Sequence, residues 1–168
     1  MINSQTHPFK PIFDNNSKIL ILGSFPSVVS RKFGFYYANP QNRFWRVLTG
    51  ILNANVPEST DEKIKFLLSH HIAIYDAAVS CEIEGSSDAK MSKIVPANLK
   101  PIFKEANIRQ VYANGGKAYE ICKKYLESGI IKATKNEVIK LPSTSPANAK
   151  FSLEKLAKEW SMIIRELE

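Results

Sequence analysis

A chain of 168 residues has room for one domain with a real core and little else, and 44% hydrophobic with 23% charged residues excludes a disordered or fibrous protein. No apolar run approaches the ~20 residues of a membrane helix, and the polar first ten residues lack the character of a secretory signal, so a single cytoplasmic domain spanning 1–168 (nuclear in a eukaryote), without membrane contact, is expected. Lysine and arginine exceed aspartate and glutamate by 23 to 16, a net charge of +7 that suits a polyanionic partner, because each neutralised phosphate releases counterions.

The two cysteines, Cys81 and Cys122, form no C-x-x-C pair and are too few for an iron–sulfur cluster. His7 stands alone near the start, and the neighbours His70 and His71 read as a surface loop. Neither a metal nor a cofactor is expected from this set.

Residues 18–23 (Lys-Ile-Leu-Ile-Leu-Gly) form a short apolar run that predicts a strand buried on both faces. The loop after it, Gly23-Ser24-Phe25-Pro26-Ser27, pairs a glycine that permits close backbone approach with a stiffening proline. Residues 34–45 (Gly-Phe-Tyr-Tyr-Ala-Asn-Pro-Gln-Asn-Arg-Phe-Trp) then mix aromatics with amides, the composition suited to stacking a flat base and hydrogen-bonding its edge. Phe44 and Trp45 read as core. Asn39, Gln41 and Asn42 in one short loop are harder to explain by packing.

Helical periodicity covers 43–52 and 61–69. A second strand follows at 72–76, ending in Asp76, whose carboxylate is placed either to activate water or to cap the next turn. A third strand is predicted at 108–113. It opens into Asn114-Gly115-Gly116, a turn able to present N–H groups to an anion or simply to turn the chain. A helix over 116–126 and a fourth strand over 137–141 come next. The loop Leu141-Pro142-Ser143-Thr144-Ser145-Pro146-Ala147-Asn148-Ala149-Lys150 is stiffened by proline and rich in hydroxyls, suited to tracking a phosphate backbone or entering a groove. The last helix, 153–167, carries one apolar stripe, with Ser152 as cap and Glu154 against the positive end of its dipole.

Strands alternating with helices predict an α/β fold, a parallel sheet covered on both faces. Ligands in such sheets sit at the carboxyl ends of the strands, which directs attention to the loops after Leu22, Ile74, Ala113 and Leu141.

In order along the chain, G-S-F-P-S, Y-Y-A-N-P-Q-N-R-F-W, N-G-G and L-P-S-T-S-P-A-N-A resemble the hypoxanthine-DNA glycosylase branch of the uracil-DNA glycosylase superfamily. D-A-A-V-S-C-E-I-E from Asp76 to Glu84, with Gly85-Ser86 after it, is similar too. The resemblance spans roughly residues 19–160. It implies a three-layer α/β/α sandwich with a four-stranded parallel sheet, and a monofunctional enzyme that flips a deaminated base, hypoxanthine or else uracil, out of double- or single-stranded DNA and hydrolyses its glycosidic bond without a lyase step. Asn42 is implied as the catalytic amide, since Phe25 occupies the position where mismatch-specific relatives carry one, and Asp76 is a secondary catalytic candidate. Tyr37 is expected to stack on the base and Asn114 to contact it or the water, with Ser24 and Phe25 supplying backbone N–H groups and Asn39 standing where many relatives have histidine. Pro142, Ser143, Thr144, Ser145, Pro146 and Asn148 are expected to enter the DNA. Asn42 is neutral, so its expected part is to hold water by its carbonyl. The alternatives are uracil as main substrate, an inactive DNA-binding member of the fold, and an enzyme of small nucleotides. A monomer is expected, since no long apolar surface stripe is left over.

Overall fold

The computed structural model describes residues 2–84 and 90–168. The chain runs β1 (Ile2–Thr6), β2 (Ile19–Gly23), α1 (Val28–Phe33), α2 (Phe44–Ile51), α3 (Thr60–Ser69), β3 (Ile72–Asp76), β4 (Ala78–Glu84) and β5 (Met91–Pro96). It continues through α4 (Lys100–Glu105), β6 (Gln110–Asn114), α5 (Gly116–Ile121), α6 (Glu127–Thr134), β7 (Ile139–Leu141), α7 (Leu153–Trp160) and α8 (Ile164–Leu167).

The central sheet has the order β3-β2-β6-β7 with every neighbouring pair parallel. All five residues of β2 are buried, and the pleat divides them. Ile19 and Ile21 join Ile72, Ile74, Tyr112 and Leu141 in a core closed by Phe44, Val47 and Leu48 of α2, Leu67 of α3, and Leu156 and Trp160 of α7. Leu20 and Leu22 face the opposite way, with Ala73, Val111 and Ala113, onto Ile102 of α4 and Ala118 and Ile121 of α5. A strand with apolar side chains on both faces has nowhere stable except between two layers. The expected three-layer sandwich with four parallel strands is therefore the fold that forms.

Helix ends follow the expected chemistry where a hydroxyl is at hand. Ser152 Oγ accepts from the Lys155 N–H and begins α7, and Ser59 does the same for α3 through Glu62. The predicted helix over 116–126 is shorter as an α-helix: it stops at Ile121 and continues as a π-turn through Cys122–Leu126. Strand edges also move, from 108–113 to 110–114 and from 137–141 to 139–141.

A second sheet was not anticipated. Strands β1, β4 and β5 form an antiparallel sheet in the order β1-β4-β5. The chain between β1 and β2 is also tied down: Ile12 and Ile74 exchange backbone hydrogen bonds at 3.0 Å in each direction. The polar N-terminal segment thus packs along the β3 edge of the main sheet rather than trailing from it. Gly85 and Ser86 lie outside the described residues.

Candidate active site

The parallel register sets Gly23 beside Asp76 and Asn114 beside Leu141, so the chain leaves the sheet at one rim from all four strands. There the loops enclose a cavity of about 450 Å³, within the size of small-molecule sites. Its walls include Ser24, Phe25, Tyr37, Asn39, Asn42, Asp76 and Asn114, with Ser143, Thr144 and Ser145 closing one side. Pro142, Pro146 and Asn148 do not line it.

Asp76 is 3% exposed, and among the described residues it caps no turn. Among the described residues its carboxylate has one hydrogen-bond partner, Nε2 of His7, at 2.8 Å from Oδ2. Burial pushes the Asp76 carboxyl above the ordinary carboxylate range, and the hydrogen bond and charge interaction with His7 pull it back down. The other oxygen, Oδ1, lies against the end of β2: a Cβ on Gly23 would stand 2.4 Å from it and 3.0 Å from the Tyr37 hydroxyl. Only glycine leaves room for a carboxylate and a phenol to meet the backbone there.

Asn42, Thr144 and Asn114 form one network. The Thr144 hydroxyl donates to Asn42 Oδ1 at 2.9 Å and accepts from Asn114 Nδ2 at 3.0 Å, while Thr144 N–H donates to Asn114 Oδ1 at 3.0 Å. Asn42 Oδ1 also accepts from Phe44 N–H at 2.9 Å at the start of α2. Both lone pairs of that carbonyl are thereby engaged, which corrects the expectation that it holds water. The amide nitrogen Nδ2 is what Asn42 leaves for the cavity. Thr144 is fully buried, so its expected place in the DNA is corrected as well: it joins two amides behind the surface.

The two serines of the loop from 142 to 150 spend their hydroxyls within the loop. Ser143 Oγ accepts from Ser145 N–H, Ser145 Oγ accepts from Ala147 N–H, and Asn148 Nδ2 donates to the Ser143 carbonyl. Arg43 holds it from the other side, donating to the carbonyls of Ser145 at 2.9 Å, Asn148 at 3.1 Å and Phe151. Trp160 Nε1 donates to Pro142 O at 2.9 Å and pins its start. Pro146 and Ala147 stand exposed at the tip, whereas Ser143, Ser145 and Asn148 stiffen the loop that carries them.

Tyr37 has a left-handed backbone, φ 52°, and its ring lies on Phe44 with centroids 3.9 Å apart and planes 17° from parallel. One of its faces is thus already covered. Asn39 Oδ1 accepts from Gln41 N–H at 2.9 Å and shapes the turn before α2. Phe25, 7% exposed, forms cavity wall and core together, its ring 5.9 Å from that of His7. Gly115, at φ 99°, sends its N–H to the Leu141 carbonyl at 2.9 Å. The N-G-G turn thus closes β6 onto β7 instead of offering that N–H to an anion.

Sequence reasoning missed His7 and Arg43. A lone histidine in a polar segment carries no spacing signal. The arginine was legible only as part of P-Q-N-R-F-W. Among the described residues no three His, Cys, Asp or Glu side chains are grouped to hold a metal ion, and no helix is long and apolar enough to cross a membrane.

Residues 11–168 match the model of the uracil DNA glycosylase superfamily. Two similar proteins are each named hypoxanthine DNA glycosylase. The one from Methanosarcina acetivorans is 31% identical over 159 residues, covering 94% of this chain and 96% of that protein. The one from Methanosarcina barkeri is 32% identical over 156 residues, covering 91% and 94%. The solution NMR structure of a candidate uracil DNA glycosylase from M. acetivorans superposes with a TM-score of 0.80, at 31% identity over 99% of both chains. With an amide- and carboxylate-lined cavity at the sheet rim, and a family match over almost its whole length, the chain belongs to the uracil DNA glycosylase superfamily.

Proposed function

We propose that this protein excises hypoxanthine from DNA, with uracil as a second substrate, by hydrolysing the bond between the base and its deoxyribose. The observation that carries this reading is the convergence of Asp76, Asn42 and Asn114 on one cavity beside Tyr37, in a chain about 31% identical to proteins named for that activity. The target nucleotide is first swung out of the helix, at ~ a few kcal/mol, least for a poorly paired base. Phe44 covers one face of Tyr37, so the base stacks on the other and extends an existing aromatic pair. The exposed Pro146-Ala147 tip, on a loop held by Arg43, fills the space the nucleotide vacates.

Bond cleavage develops positive charge on the sugar and negative charge on the base. Asp76 Oδ1 directs a water to the sugar carbon and takes one of its protons. The hydroxyl bonds to that carbon, and the electron pair of the broken bond leaves with the base nitrogen. Asn42 Nδ2 donates to the departing base and stabilises its charge. No covalent enzyme intermediate is needed, so no lyase step follows. The protein acts as a monomer on duplex DNA.

The test is incubation of the purified protein with duplex oligonucleotides carrying one hypoxanthine or one uracil, then alkali to cut abasic sites. Strand scission at hypoxanthine, faster than at uracil, is expected. Faster scission at uracil would reverse the preference, and intact strands from both despite tight binding would leave a DNA-binding protein without catalysis. Single-stranded oligonucleotides with the same lesions test the choice of duplex.

A further inference from the structure

We infer that His7, delivered by the N-terminal strand from outside the family-matched region, is a positioning residue that clamps Oδ2 of Asp76 and so turns Oδ1 toward the cavity. The inference rests on the proposed glycosylase reading and extends it to a residue that precedes the family match at 11–168.

The hydrogen bonds fix which ring nitrogen carries the proton. Phe9 N–H points at Nδ1 at 3.3 Å, so Nδ1 accepts and Nε2 is the nitrogen that donates to Asp76 at 2.8 Å. A donor held in this way orients a carboxylate.

The ring itself has no freedom. It sits among Phe9, Phe25, Tyr36 and Tyr75, with centroids 4.9, 5.9, 5.8 and 4.9 Å away, and its side chain is 2% exposed. The backbone is held equally firmly. β1 pairs along β4 from Ile2 to Thr6, and His7 N–H donates to the Val79 carbonyl at 2.7 Å. Tyr36 Oη donates to the Lys10 carbonyl at 2.7 Å. The small antiparallel sheet thus places one imidazole behind the water-directing carboxylate, as outer groups place reacting ones in other active sites.

In hydrolysis the water proton comes to rest on Asp76 and the hydroxyl on the sugar carbon, while the bonding pair departs with the base. His7 keeps its own proton throughout. What it contributes is the geometry of Oδ1, and the loss of that geometry is read in the chemical step rather than in DNA binding.

The test compares His7→Phe, which keeps an aromatic ring without a donor, with His7→Gln, which keeps an N–H at similar reach. Single-turnover excision of hypoxanthine and the Kd for the same duplex are measured for both, for Asp76→Asn and for His7→Phe/Asp76→Asn. His7→Phe is expected to slow excision on the order of 100-fold with Kd within about twofold, and His7→Gln to recover most of the rate. The double variant should be no slower than Asp76→Asn, because His7 acts through that carboxylate. If His7→Phe loses the native melting transition, His7→Asn, too short to reach, takes its place. Wild-type rates in the donorless variant, or a double variant slower than Asp76→Asn by the full His7→Phe factor, would overturn the inference alone. A wild-type protein that leaves hypoxanthine in place would remove the glycosylase reading and this inference with it.

Discussion

At the scale of single residues the site is a contest between burial and charge. Burial drives the Asp76 carboxyl upward and His7 draws it down, so the folded protein holds that proton to higher pH than the unfolded chain does. Between those two values the folded state binds more protons, and stability falls as pH rises across the window. Asp76→Asn stays neutral and still accepts from His7. It is expected to raise stability at pH 7 by about 1 kcal/mol while excision is lost. Thermal melts from pH 4 to pH 8 check this: the gain over wild type should shrink toward acid pH, and an equal gain throughout would mean that burial of charge is not its source. Wild-type activity should in turn fall on acidification, with an acid limb above the ordinary carboxylate range.

Asn42 carries a different load. Its carbonyl receives both Thr144 and Phe44, so Asn42→Ala strands two donors, at about 1–3 kcal/mol each if they find no water. Turnover should drop far more than DNA affinity if, as proposed, Nδ2 acts on the departing base. Equal loss of rate and affinity, measured by single-turnover kinetics beside a binding titration, would reduce Asn42 to a structural member of the network. Gly23 is the tightest glycine among the described residues. Gly23→Ala pushes a methyl carbon to within 2.4 Å of Asp76 Oδ1, and a shift of ~1 Å at a reacting group lowers rates on the order of 100-fold. A Gly23→Ala variant as active as wild type would show that Oδ1 need not stay where it is.

Elements matter through what they hold still. The loop after β7 is stiff because its own serines cap its turns and because Arg43 reaches three of its carbonyls. A guanidinium forks where an ammonium is a single point, so Arg43→Lys is not conservative here. It is expected to destabilise the protein by about 2 kcal/mol, speed hydrogen exchange across 142–151, and weaken DNA binding. Unchanged exchange in that loop would assign its stiffness to Trp160 and the serines instead. At the other end of the fold, β1 adds little to the main sheet. Its consequence is the position of His7, which a segment-by-segment reading of local propensity has no means to weigh.

Across the whole molecule the +7 charge is spread along the chain, and part of it reaches the cavity wall. Arg31 lines it, Lys32 follows on α1, and Lys150 is exposed just past the proline loop. Duplex binding should therefore weaken on the order of 10- to 100-fold between 50 and 200 mM salt. Lys150→Glu should reduce affinity alike for damaged and undamaged DNA, as befits a phosphate contact. A salt-independent Kd would place the contacts elsewhere.

The sequence by itself determined the layered fold, because strands apolar on both faces, such as 19–23, are stable only between two helical layers. It also determined which loops would meet, since parallel strands all end at one rim. The helix cap at Ser152 and the wall of aromatics and amides are local chemistry, legible without the fold. Only the tertiary structure decided which atoms of those residues are engaged: that the Asn42 carbonyl is taken, that Thr144 is sealed behind two amides, and that Phe44 covers one face of Tyr37. It alone brought His7 to Asp76 across a separation of 69 residues. A hydrogen bond between distant segments depends on register, twist and packing together, and no spacing along the chain records it.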